Sequence, residues 1–159
     1  MADGVFNIAK GEMLTYYKNV KNNNPANSVF VVVLLKAAEA DDTLNNYDDL
    51  AALLSAAGNT EADFSGYQRK ELTDVDLPAV PAPDDTNNWI QLDIPDITWT
   101  AAGGAVNNTL VKLLICYDSD NTVGTDANII PLCYYDFSVT TDGSDITAQI
   151  NANGFYRGA

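Results

Sequence analysis

The chain has 159 residues, 22 of them acidic and 8 basic, with no histidine and a formal net charge of −14. That length fits one domain with a real core, and 47% hydrophobic against 19% charged residues marks a globular chain rather than a disordered one. A surface of this sign repels phosphate polyanions and acidic bilayers, so neither nucleic acid nor membrane is expected as a partner.

Met1-Ala2-Asp3-Gly4 carries no basic segment and no long apolar run follows it, so no signal peptide is expected and the chain should be made and folded in a cytoplasm. From Val5 to Val20 the pattern changes period. Phe6 and Ile8 alternate as in a strand, whereas Met13, Tyr16, Tyr17 and Val20 recur as on a helix face, which predicts a short strand and then a helical turn or two. Asn22-Asn23-Asn24-Pro25 breaks the chain. Val29 to Leu35 is a β-branched run without polar alternation, the mark of a strand covered on both faces. It is the longest strongly apolar run, and far shorter than the roughly 20 residues of a membrane-spanning helix.

Leu44, Tyr47, Leu50, Ala51 and Leu54 step by three and four, predicting one helix at about 44–57. Thr43 or Asn46 can cap it, Asp48 and Asp49 complement its positive end, and Gly58 suits its stop. Tyr67 to Leu72 reads as a further strand, and Pro78, Pro81 and Pro83 with Asp84-Asp85 as a stiff loop. Beyond it, Ile90, Leu92 and Ile94 alternate while Ile97 and Trp99 hold the opposite parity, so the strand slips at Pro95-Asp96 through a bulge or an edge position. Gly103-Gly104 turns the chain, Leu110 to Tyr117 is a nearly continuous apolar strand, and Asp118 to Asp126 is a polar loop. Cys116 and Cys133 fall inside strand patterns, where small buried thiols are expected.

The end of the chain can be written as a hairpin. Folding Cys133–Val139 onto Ile146–Ala152 about Asp142-Gly143 opposes Val139 to Ile146, Phe137 to Ala148, Tyr135 to Ile150 and Cys133 to Ala152 on one face. Asp-Gly supplies the positive φ angles of a type I′ turn, so turn chemistry and alternation favour the same register. The expected fold class is therefore mainly β, an antiparallel β-sandwich or barrel with one short helix in the N-terminal half. Residues 1–159 form a single domain with an α/β front part, 1–80, and an all-β part, 84–159.

Chemistry is less legible. The commonest general base and the usual catalytic triad need histidine. Two carboxylates could serve a glycosidase, yet none of the acids stands in an apolar pocket motif, and nucleophile-elbow, P-loop and dinucleotide glycine spacings are missing. No enzyme and no cofactor are expected. The metal candidate is Asp118, Asp120 and Asp126, whose alternating oxygens suit calcium. An EF-hand, however, needs glycine and glutamate where the chain has Val123 and Ile129. Asn107-Asn108-Thr109 matches a glycosylation sequon, without weight in the absence of secretion. Among eight tyrosines and two tryptophans, Trp89 at a strand start and Tyr134 on the polar face of the hairpin are the candidates for an exposed interface.

Phe6-Asn7-Ile8-Ala9-Lys10-Gly11, Val31-Val32-Val33-Leu34-Leu35-Lys36-Ala37 and Asp48-Asp49-Leu50-Ala51-Ala52-Leu53-Leu54 carry a family likeness. Trp99-Thr100-Ala101-Ala102-Gly103-Gly104, Cys116-Tyr117-Asp118, Ile130-Pro131-Leu132 and the segment from Asp136 to Asp145 extend it over nearly the whole chain. Together they resemble a family of small structural proteins of tailed bacteriophages. The resemblance implies a virion component, more specifically a capsid cement or decoration protein. Its partners would be the major capsid protein or other virion proteins, and it would form a homo-oligomer, for which a trimer is the guess. An acidic exterior suits the outer capsid surface, away from packaged DNA. Chain ends packed into the fold or against neighbouring subunits would fit strand addition or arm exchange across shell seams. A neck, tail or host-binding fibre component is the alternative within the virion, and a calcium- or carbohydrate-binding β-sandwich module the alternative outside it.

Overall fold

A computed structural model of the chain describes residues 3–158. The expectation for the outermost residues, Met1, Ala2 and Ala159, lies outside them. The fold is mainly β, as the alternation predicts. Its centre is an antiparallel sheet ordered β1 (Gly4–Val5), β8 (Ile129–Thr140), β7 (Thr109–Asp118), β2 (Val29–Ala37), with β3 (Thr60–Glu61) and β4 (Lys70–Leu72) both on the far side of β2. Two ribbons pair separately: β5 (Ile90–Leu92) with β10 (Tyr156–Gly158), and β6 (Ile97–Trp99) with β9 (Ile146–Ala148).

β2 is covered on both faces, as its unbroken apolar run requires. Phe30, Val32 and Leu34 point into one core with Leu113, Ile115, Tyr117, Trp99, Ile146 and Phe155, under the two ribbons and α1 (Met13–Lys21). Val29, Val31, Val33 and Leu35 point into a second core with Phe6, Leu44, Leu50, Leu53, Leu114 and Tyr134. Helices α2 (Asp41–Leu44) and α3 (Leu50–Ser55) lie over that second core. Three layers result, helix on sheet on ribbons.

Several expectations change on contact with this architecture. The single helix at 44–57 is two, because the chain leaves the helical path after Asn45 and Asp49 starts α3 afresh: its Oδ1 accepts from the Ala52 N–H at 2.7 Å. Asp49, not Thr43 or Asn46, is thus the cap that matters. α3 ends at Ser55, short of Gly58. The stripe Met13, Tyr17 and Val20 is buried as predicted, but on a nine-residue helix rather than a turn or two. The slip at Pro95-Asp96 becomes a transfer between ribbons, β5 pairing β10 and β6 pairing β9, with the Asp96 carboxylate accepting from Ile150 N–H at 2.7 Å. The proline loop divides the sequence but not the sheet, since β2 and β7 are paired from Val29↔Asp118 to Leu35↔Lys112. Lys21, at the end of α1, fastens that loop by donating to the Asp74 and Leu77 carbonyls, each at 2.7 Å.

The C-terminal hairpin does not form. β8 pairs β7, with Leu113↔Tyr135 and Leu110↔Val139, while β9 crosses to β6, with Trp99↔Ile146 and Ile97↔Ala148. Asp142-Gly143 still turns, Gly143 having φ 98°, but the turn docks on the neighbouring Ala101–Gly104 turn. Gly143 N–H donates to the Ala102 carbonyl at 2.8 Å, and Ala102 N–H returns a bond to the Ser144 carbonyl at 3.0 Å. Ile146 and Ala148 face the core in either arrangement, so parity alone does not choose the partner strand.

Candidate functional site

The outer edge of β8 is partly uncovered among the described residues. This strand is twelve residues long, and among the described residues β1 pairs with it through Gly4↔Tyr134 and Val5↔Cys133, with the Phe6 N–H donating to the Leu132 carbonyl at 3.0 Å. Asp3 extends the cover by one bond, its carboxylate accepting from the Asp136 N–H at 3.2 Å. Past Asp136 the register with β7 shifts, so that Phe137 and Ser138 together stand opposite Val111. Ser138 and Thr140 are exposed, and among the described residues no strand pairs with them on the side away from β7.

Beside this edge runs a groove of about 610 Å³. One wall is Leu113, Tyr135 and Phe137 of the sheet, the other Ala148 at the end of β9 and Ile150 and Phe155 of the segment after it. Asp3, Asp136 and Arg157 supply charges at its rim. The floor is fixed by Tyr135, whose hydroxyl donates to the Phe155 carbonyl. Burial raises the Tyr135 phenol above the ordinary tyrosine value, so it stays a neutral donor. Apolar walls, a charged rim and an exposed strand end together make a surface that can take an extended chain, whose apolar side chains the walls would select.

The residues singled out from the sequence fall elsewhere. Tyr134 is buried, contrary to expectation, 2% exposed. The face assigned to solvent by the hairpin is the face under the helices. There Tyr134 meets Phe6 edge to face at 5.4 Å, and Lys112 Nζ lies 4.9 Å from its ring centre. Trp89 is half-buried, with the Arg157 guanidinium 3.8 Å from its ring centre, and so closes the end of the β5–β10 ribbon. Its exposure is partial, and it lies outside the groove residues.

Asp118, Asp120 and Asp126 do not converge. Asp118, buried at the end of β7, accepts from the Asp120 N–H at 3.0 Å, and Asp120 accepts from Thr122. Asp126 forms a forked pair with Arg69, at 2.5 and 3.0 Å, while Glu61 holds the other side of the same guanidinium at 2.7 and 2.8 Å. The Arg69 hydrogen bonds lower the Asp126 carboxyl below the usual range. These acids close turns and anchor the loop to the sheet edge. Among the described residues no group of three or more His, Cys, Asp or Glu is placed to hold a metal ion. Cys116 and Cys133 are free and buried, and burial raises both thiols, Cys133 to about 12.

One cluster had no reading in the sequence. Lys112, inside the apolar run of β7, is 9% exposed and touches Asp41 at 2.7 Å and Asp136 at 2.5 Å. Burial pulls its ammonium down, but the hydrogen bonds to Asp136 and Asp41 prevail and leave it above the ordinary lysine value. A charged residue in an otherwise apolar strand is the one signal that could have marked it; its two partners lie 71 and 24 residues away.

Comparison with family models, with curated proteins and with solved structures gave no match. Among the described residues no helix is long and apolar enough to cross a membrane.

Proposed function

We propose that this protein is a non-enzymatic structural subunit of a tailed-bacteriophage virion, a cement or decoration protein that binds the outer capsid surface and stabilises the shell. The observation that carries the reading is the partly uncovered edge of β8 beside its apolar groove, on a chain of net charge −14. An extended arm or seam strand of a capsid subunit lies along the Ser138–Thr140 edge and seats apolar side chains in the groove. Binding to the assembled shell and not to its unfolded subunits stabilises the shell by mass action. The family resemblance of the sequence points to the same setting, and the acidic exterior keeps the subunit away from packaged DNA. A homo-oligomer, with a trimer as the working number, multiplies weak single contacts into durable attachment.

The test is reconstitution. Capsids lacking the protein are mixed with the purified full chain, and bound protein and shell melting temperature are measured. Saturable binding with a higher melting temperature is expected, and Ile150→Asp, which places a charge on the groove wall, should weaken binding while the free protein keeps its circular dichroism. Absence of binding to the shell overturns the capsid assignment. A neck, tail or fibre position uses the same attachment surface, and density located there on the particle would replace the capsid with that site.

A further inference from the structure

Lys112, Asp136 and Asp41 form a group whose lysine and Asp41 lie outside the groove, Asp136 alone reaching its rim. Lys112 stands on β7 directly opposite Asp136 on β8, at a point where the register of the two strands shifts. Such irregularities re-aim side chains beside reactive groups. Its nitrogen lies 2.5 Å from one Asp136 oxygen and 2.7 Å from one Asp41 oxygen. The Tyr134 ring lies against it, with its centre 4.9 Å from the nitrogen, and only 9% of the lysine side chain is exposed. An amine, an adjacent acyl carbon and a second carboxylate on the same nitrogen are the nucleophile, electrophile and proton carrier of an amide condensation.

We propose that Lys112 and Asp136 condense to an isopeptide bond joining β7 to β8, with Asp41 carrying the protons. The resting contact is an ion pair, so the first step is internal. Lys112 passes one proton to Asp136, leaving a neutral amine beside a neutral carboxylic acid. The amine lone pair attacks Asp136 Cγ and forms the C–N bond. Asp41 accepts a second proton from the nitrogen and gives it to the departing hydroxyl, the C–O bond breaks, and water leaves. The amide keeps the third hydrogen, Asp41 ends as the carboxylate it began as, and no redox partner is involved. Paired strands hold the reactants in contact, which removes the entropic cost of encounter. The product staples the two longest strands of the sheet.

The experiment is intact-mass spectrometry of the purified full chain, followed over days at neutral pH. The native chain is expected to become lighter by one water, and fragmentation should yield a branched peptide joining the segments around Lys112 and Asp136. Asp136→Asn should instead lose one ammonia and converge on the same product mass. Asp41→Asn, which keeps both reacting groups, should slow the loss by about 100-fold. Lys112→Arg keeps the charge and should lose nothing. A dehydration that persists in Lys112→Arg, for instance at Asp142-Gly143, overturns the proposal. So does an unchanged mass in native chain whose circular dichroism shows it folded, since the three groups are then an ion pair only.

Discussion

At the residue scale, the clearest lesson is Tyr134. Its alternation is legible, but the layer that covers it is built from Phe6 and from α2 and α3, far away in sequence, so nothing local announces that the face is dry. Replacing a ring packed on all sides leaves a cavity, and Tyr134→Ala is expected to cost roughly 3–5 kcal/mol. Urea unfolding should report it as a lower midpoint at unchanged slope, whereas an exposed tyrosine would leave the midpoint where it was. Asp126 gives a second, pH-dependent case. Its carboxyl is lowered in the folded protein by Arg69, so its contribution is complete above the unfolded carboxylate value of about 3.9 and is lost as the pH falls through the folded value. The pair is part-exposed and partly screened, so Asp126→Asn should cost about 1 kcal/mol at pH 7. Melting curves of the two proteins, measured from pH 7 down to the acid limb, should draw together as the native carboxyl protonates.

Among elements, the helices show how far local signals reach. The stripe from Leu44 to Leu54 correctly places Leu44 and Leu50 in the core, but the same spacing is produced by two short helices with a reset between them, and only the capping bond at Asp49 reveals the break. Asp49→Ala is therefore expected to lower stability by about 1 kcal/mol. Thr43→Ala, at the cap position that the stripe suggests, should stay within about 0.5 kcal/mol. Thermal melts of the two variants check the pair. The strands divide in the same way. Val29–Leu35 and Leu110–Tyr117 are recognisable as buried strands because no polar residue but Lys112 interrupts them. The partner of Ile146–Ala148 is not recognisable, because β6 and β8 offer equally apolar, equally spaced faces.

For the whole molecule, Cys116 and Cys133 serve as reporters, since they lie on neighbouring strands in different cores. Burial raises both thiols, so the reactive thiolate is scarce until the sheet opens. A thiol reagent at pH 8 should label neither cysteine in the native protein and both in denaturant, and the native labelling rate should follow the global unfolding equilibrium. Rapid labelling of one cysteine alone would mean that the sheet opens locally at that strand.

Composition and periodicity were sufficient to determine a mainly β, acidic, globular chain with a doubly covered central strand, because burial imposes its period on each segment separately. They also placed the turns at Gly103-Gly104 and Asp142-Gly143, where the positive φ of Gly103, Gly104 and Gly143 restricts residue choice. Strand partners, the burial of Tyr134, the scattering of Asp118, Asp120 and Asp126, and the meeting of Lys112 with Asp41 and Asp136 were decided by the tertiary structure alone. These depend on which surfaces come together across tens of residues, and a pattern that repeats every two or every three to four positions carries no information about that distance.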